Sequence, residues 1–462
     1  MCYNNLNYIG KGVSVSLRKI RYLFLTGLFA GLLLLLSGCF MRGTDELYCV
    51  PKRSDAYLSL QEAVEAAIGD GEYCAPVSGE NRQAIQQADL DGDEKDEYIV
   101  YARVGEEKPL KIFVFCSSGD SYKLVHTLEG DGSAFDSAYY VQVNGERGME
   151  LVVGRRVGDQ VPQSLTVYTF RNNEATALVS TNYTDYSIRD VDEDGLSDLF
   201  VVRADTELRN GVAELYRWHN GELSRDSEAN LSVPAENYKR TTLGSLTDGT
   251  PAFFVAGAYD ENNIITDVIA LQGGVFRNIT LSDESGVSTS TVRSYYAYST
   301  DIDGDGTTEV PNTVLLPSVS SDTQTENQYI IIWNGLNSDG TRVEKKRTYH
   351  NYTDGWYLEL PKEWTERLMV SRRVQGTSMG YVFYHVEPGG KADRFLSIYA
   401  IKGEELPSGN EAGQGIVLAT WNGVSYVAFA DAGGPAYALD EQQLTALFHS
   451  ITAETAAADG VS

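Results

Sequence analysis

Positive charge is what this 462-residue chain has least of. Lys and Arg number 37 against 65 Asp and Glu, a net charge of −28 at pH 7. No Lys/Arg stripe interleaved with aromatics offsets that charge, which excludes nucleic acid as a partner, because such a surface repels a polyanion. Histidines are five and scattered, at 126, 219, 350, 385 and 449, and cysteines are five. Without a Cys/His cluster at ligand spacing, a zinc centre is excluded too. No phosphate-cradling glycine loop and no zinc-protease signature occurs. Beyond residue 36 no apolar run is long enough to span a bilayer. Yet 42% of residues are apolar and 11% aromatic, too hydrophobic a chain to stay disordered, and its length exceeds one ordinary domain. The excess acid therefore needs its own explanation, as solvation, as cation binding or as both.

Residues 1–22 carry Lys11, Arg18, Lys19 and Arg21 and no acid, Leu23 to Leu36 is an almost unbroken apolar run, and Ser37-Gly38-Cys39 follows. A run this short falls below the roughly 20 residues of a spanning helix and reads as a secretory signal over 1–38. Leu36-Ser37-Gly38-Cys39 resembles the bacterial lipobox. That resemblance implies cleavage after Gly38, lipidation of Cys39 and anchoring to the extracytoplasmic face of the cell membrane, where several acyl chains make attachment stable. In that disulfide-permissive place Cys49 and Cys74 either pair or do not, and Cys116, inside the apolar Ile112 to Phe115 run, is expected as a buried thiol.

Internal similarity organises the middle of the chain. Asp89-Leu-Asp91-Gly-Asp93-Glu-Lys-Asp-Glu97, Asp190-Val-Asp192-Glu-Asp194-Gly-Leu-Ser-Asp198 and Asp301-Ile-Asp303-Gly-Asp305-Gly-Thr-Thr-Glu309 align without gaps, with acids at positions 1, 3, 5 and 9. Decayed copies start at Gln142 and Gly244. The five starts, 89, 142, 190, 244 and 301, give a period near fifty residues, and apolar strand patterns follow each. Within each period a second strand pattern ends in a small turn: Ser118-Gly119, Asn172-Asn173, Asn220-Gly221, Gly273-Gly274 and Asn334-Gly335. About four short strands per fifty residues is the blade of a β-propeller.

The Asp-x-Asp-x-Asp-Gly-x-x-(Asp/Glu) loop leading into an apolar strand resembles the FG-GAP and VCBS repeats of integrin-alpha-like propellers, over residues 81–345. The whole chain resembles a VCBS-repeat bacterial lipoprotein. The resemblance implies a mainly β fold, a propeller of about five repeats with five to seven blades open, and a partner docked on one face. Position 6 of the first loop departs from the pattern, with Glu94 in place of Gly, and copies two and four lack most ligands.

The ends read differently. Ser59 to Glu62 forms a capping box ahead of apolar residues at helical spacing, so 59–69 is expected as an amphipathic helix within an amino-terminal tether over 39–80. Residues 346–455 are expected as a small α+β domain, closed by a helix from Asp440 to Ile451, with a frayed tail at 456–462.

Alternating carboxylates in a tight loop supply the six to eight oxygens that Ca²⁺ takes, with a backbone carbonyl at position 7 (Lys95, Leu196, Thr307). The expected ligands are Asp89, Asp91, Asp93 and Glu97; Asp190, Asp192, Asp194 and Asp198; and Asp301, Asp303, Asp305 and Glu309, the ion being structural. The loops are not EF-hands: position 12 is Val100, Val201 and Asn312, and a strand follows. Acidic turns selected for geometry alone are the plainer reading. Gly376-Thr-Ser378-Met-Gly380 fits a nucleophile-elbow pattern, but strands on both sides make it a hairpin. The sequence thus reads as a membrane-anchored, calcium-binding module for a protein or cell-wall glycan and not as an enzyme. A surface polysaccharide hydrolase is the alternative.

Overall fold

The computed structural model describes residues 55–451, apart from 120, 159–162, 173, 206–209, 295–296, 318–326, 376–377, 403–414 and 432–433. The expected signal segment, Cys39, Cys49 and the tail at 456–462 lie outside the described residues. The chain divides into two compact units, Met1–Glu62 and Ala63–Ser462. Of the first, only the beginning of helix α1 (Asp55–Ile68) is described. That helix starts four residues before the expected capping box. Asp55-Ala-Tyr-Leu contains no helix breaker, so the helix can begin there. Ser59 is therefore interior to the helix.

The second unit is mainly β, built from six antiparallel sheets of four or five strands. The first sheet contains β1 (Glu72–Tyr73), β2 (Ile85–Ala88), β3 (Glu97–Arg103), β4 (Leu110–Ser118) and β5 (Ser121–Gly130). The second contains β6 (Ala134–Val141), β7 (Glu150–Arg156), β8 (Gln163–Arg171) and β9 (Glu174–Tyr183). The third contains β10 (Asp185–Arg189), β11 (Asp198–Ala204), β12 (Gly211–His219) and β13 (Glu222–Asn230), and the fourth β14 (Tyr238–Ser245), β15 (Pro251–Ala258), β16 (Ile264–Gln272) and β17 (Val275–Asn278). The fifth runs β18 (Val310–Leu315), β19 (Tyr329–Leu336), β20 (Arg342–Asn351) and β21 (Trp356–Glu359). Sheets two to four are meanders whose strands pair in chain order. In those sheets the second strand is almost wholly buried, as its continuous apolar sequence requires.

Two-residue turns with both central residues at positive φ join the last two strands of the third and fourth sheets: Asn220-Gly221 at 53° and 88°, and Gly273-Gly274 at 56° and 82°. These are the left-handed positions that such hairpins need. The expected fifth turn is different. Asn334 and Gly335 lie inside β19, at a register shift between Trp333 and Asn334, and the chain reverses instead around Asn337 to Thr341. Similar shifts recur at Val114/Phe115, Val167/Tyr168 and Leu215/Tyr216. A bulge in the third strand thus recurs in the first, second, third and fifth sheets, where it turns the following side chains, but not in the fourth, where β16 pairs with β17 without a shift. Pro311 is accommodated because β18 is an edge strand.

The sequence repeat counts five units where six sheets are present. The sixth, in the order β22 (Leu368–Gln375), β23 (Ser378–Val386), β24 (Ala392–Lys402), β26 (Val424–Ala430) and β25 (Ile416–Trp421), has no acidic loop to betray it. The expected boundary at 345/346 falls inside β20. Two short helices flank the sixth sheet in sequence, α2 (Lys362–Thr365) before it and α3 (Glu441–Ala446) after it. Asp440 caps α3 through a capping box with Gln443, but the helix ends at Ala446 and not at Ile451. There β27 (Phe448–Ser450) turns extended and pairs with β21, and the Phe448 ring meets Trp356 at 5.3 Å.

Apolar clusters join each sheet to the next. Phe200 of the third sheet stacks on Phe253 of the fourth at 3.8 Å, with Phe276 edge-on to both. Trp356, Tyr381, Phe383 and Phe395 bind the fifth to the sixth.

Candidate metal centres

Each complete acidic loop connects the first strand position of a sheet to its second strand. In the fifth sheet the first strand is reduced to a single bridge, Thr300 to Glu309. The three loops share one backbone scheme. Positions 4 and 6 are left-handed in all of them: Gly92 and Glu94 at 77° and 68°, Glu193 and Gly195 at 61° and 90°, Gly304 and Gly306 at 73° and 88°. The sequence pattern pointed only to position 6. Glu94 and Glu193 hold a conformation that costs a residue with a side chain about 1 kcal/mol.

The carboxylates organise these turns through amide hydrogen bonds. Asp89 accepts from the Gly92 and Glu94 N–H groups at 2.7 and 3.0 Å, Asp190 from Asp194 and Gly195 at 3.1 and 2.9 Å, and Asp301 from Gly304, Asp305 and Gly306 at 2.7, 3.1 and 2.9 Å. The position 5 acids Asp93, Asp194 and Asp305 accept from the N–H of position 7 at 2.8–2.9 Å. Lysines reach the same acids from outside: Lys95 lies 3.1 Å from Asp93, and Lys345 lies 2.6 Å from Asp305, whose pKa it holds down to about 2.

Position 9 behaves differently from the other acids, a distinction invisible in the spacing. Glu97, Asp198 and Glu309 are buried and accept from the N–H of position 2, Leu90, Val191 and Ile302, at 2.8–3.0 Å. The decayed second copy keeps this clasp: Glu150 accepts from Val143 at 3.1 Å, from Thr169 Oγ1 at 3.0 Å and from Asn144 Nδ2. Burial raises the pKa of all four carboxyls. Asp198 and Glu309 are pushed up to about 7, with repulsion from the neighbouring loop acids adding to burial.

The predicted ligands converge unequally. Asp301, Asp303 and Glu309 bring one oxygen each within 4.8 Å of one another, as do Asp89, Asp91 and Asp93, and Asp190, Asp192 and Asp194. Asp91 and Glu97 also approach the Cys116 thiol, which donates to Glu97 Oε1 at 3.5 Å and whose pKa burial raises to about 12. Asp305, with its lysine, stands outside the group at 301–309. The test of fit to a cation is Glu309. Its side chain is fully buried, and Oε1 has no hydrogen-bond partner among the described residues. A buried carboxylate oxygen is costly to leave unpaired, and a hard cation among Asp301, Asp303 and Glu309 would satisfy it. At the fourth copy the 244–252 segment has Asp248 alone and gathers no such donors.

Ser378 opens β23, paired directly back on β22 through Gln375, so the elbow-like segment is a hairpin in which the helix required after a nucleophile is replaced by a strand. Among the described residues no helix is long and apolar enough to cross a membrane.

No family model matches the chain, and no curated protein matches it. Solved structures do. A protein from Lactobacillus plantarum is similar at 13% identity and a TM-score of 0.25, over 71% of this chain and 95% of that one. Sqt1 from Chaetomium thermophilum is similar at 11% and 0.28, over 79% and 99%. A rhamnogalacturonan lyase from Bacillus licheniformis is similar at 13% and 0.28, over 74% and 60%. Lyases among these matches correct the expectation that the chain is not an enzyme, and that exclusion does not stand. TM-scores this low assign no activity in its place.

Proposed function

We propose that the chain is an extracytoplasmic lipoprotein, tethered through Cys39, whose sheets form an FG-GAP/VCBS-like β-propeller held by structural Ca²⁺ and presenting a face to a protein or cell-wall glycan. The orphaned Glu309 Oε1 in the 301–309 loop carries the calcium reading. The shared loop geometry at a fixed place in three sheets, and the lipobox spacing before Cys39, support the rest. Acyl chains keep the body at the membrane while its strongly negative surface holds it away from anionic lipid.

Action on a polysaccharide is the second reading. It draws on a cleft of about 510 Å³ whose lining includes Asp354, Lys402, Trp421, Asn422 and Tyr426. Aromatic faces stack on sugar rings, and a carboxylate can serve as acid or base. Palmitate labelling of cells that express the chain tests the anchor, with loss in Cys39→Ser expected; undiminished label in that variant contradicts it. Incubation with a panel of wall and pectic polysaccharides separates the two functions. Retention without new chain ends supports binding, whereas new ends that vanish in Asp354→Asn support cleavage.

A further inference from the structure

The unbroken register between the second and third meander strands sets one residue opposite the position 9 acid of each loop. Continuing the strand registers, that residue is Cys116 in the first sheet, Thr169 in the second, Arg217 in the third and Gly335 in the fifth. What stands there decides how the loop's charge is answered. Thr169 donates to Glu150 in the copy that has lost most of its other ligands. Gly335 donates nothing from a side chain, and a Cβ there would lie 2.8 Å from Thr247 Cγ2 and 3.3 Å from Thr307 Cγ2. Opposite it, Glu309 keeps its bare oxygen.

Arg217 is the contrasting case. Its side chain is about nine-tenths buried, and its guanidinium donates to Asp192 Oδ2 at 2.8 Å and is braced by Asp226 at 2.7 Å. Asp192 is one of the three donors that converge at 190–198, so a fixed positive charge already sits on the donor set. At 301–309 the comparable ion pair among the described residues, Lys345 with Asp305, involves the acid outside the converging group.

We propose that the two loops are not equivalent: 301–309 requires a divalent cation, whereas Arg217 serves as the resident cation of 190–198 and keeps metal out of it. This rests on the calcium reading of the loops. It names Arg217 as the residue that sets which loop binds. Asp192 Oδ1 is likewise buried and without a partner among the described residues, but its carboxylate is already neutralised through Oδ2 by Arg217, and Oδ1 is the oxygen that becomes a ligand once Arg217 is removed.

The test is calorimetric titration of Ca²⁺ into the EDTA-stripped full-length chain in detergent, as wild type, Glu309→Gln, Arg217→Met and Arg217→Gln, each checked for native near-UV circular dichroism. Glu309→Gln is expected to remove one tight site. The Arg217 variants are expected to add one, with affinity within about tenfold of the site lost in Glu309→Gln. Arg217→Gln keeps polar donors near Asp226 and serves if Arg217→Met fails to fold. Binding by the wild type that stays unchanged in number and affinity in both Arg217 variants overturns the proposal and leaves the calcium reading intact. No binding by any form overturns both.

Discussion

Acid should expel the cation from the 301–309 loop over a range set by Glu309. In the metal-free protein this carboxyl is pushed up to about 7 by burial and by Asp303, Asp301 and Asp305. Cation binding needs it ionised. At pH 5 a group of that pKa is roughly 1% ionised, so the apparent affinity should be about 100-fold weaker than at pH 8, close to 3 kcal/mol. Between about pH 5 and 7 the logarithm of the affinity should rise with a slope near one per pH unit, one proton being displaced per ion, and it should flatten above 7. Stability moves the opposite way without metal. A folded pKa above the unfolded carboxylate value means that protonation favours the fold, a contribution fully present below about pH 4.5 and lost as pH rises through 7. The stabilisation by Ca²⁺ should therefore be largest at pH 8 and small at pH 5. Calcium titrations at four pH values in that range, with thermal melts alongside, measure both. Affinity that is flat from pH 5 to 8 while binding remains tight would refute the placement of Glu309 in the cation's shell.

Other expectations concern the frame around the loops. Glu150→Ala strands the Val143 N–H, Thr169 and Asn144 donors, so urea unfolding should show a loss of about 2–4 kcal/mol with calcium affinity unchanged; an unchanged midpoint would remove the clasp from the account. Phe253→Ala deletes the ring stacked on Phe200 and met edge-on by Phe276, and should cost about 3–5 kcal/mol in the same assay. The Cys116 thiol is half-buried, where a buried one was expected, and is raised to about 12; it should resist iodoacetamide at pH 8 until urea unfolds the chain, and prompt labelling of the native protein at that residue would contradict its hydrogen bond to Glu97.

The repeat was legible because its strands and loops obey local chemistry. Alternating acids, left-handed glycines and apolar runs mark the turn and the buried strand wherever they occur together, and Asn220-Gly221 announces its own hairpin. The sixth sheet lacks those marks: its strands are plain apolar runs, so nothing local separates it from an appended domain. Asn334-Gly335 misled for a related reason. The pair has turn chemistry, but in β19 the same freedom serves a bulge and a close approach to Thr247 and Thr307. At the site, ligand identities follow from spacing, whereas the special place of position 9 does not. Its burial, its bond to position 2 and its cross-strand neighbour are set by pairing between strands twenty or so residues apart, as with Glu97 and Cys116 or Asp198 and Arg217. The short helix at 441–446 shows the same limit: Asp440 and Gln443 fix its start, while its end is set by the pairing of β27 with β21.

The central claim, that cations held by these loops stabilise the fold, is tested most directly by thermal unfolding of the EDTA-stripped full-length chain with Ca²⁺ returned and Mg²⁺ as the control. At a free concentration one hundred times the dissociation constant, one site should add about 2.7 kcal/mol, seen as a Ca²⁺-specific rise in melting temperature that Asp303→Ala reduces. Identical melting in EDTA, Mg²⁺ and Ca²⁺ would contradict the claim and leave the loops as acidic turns held by their own amide hydrogen bonds.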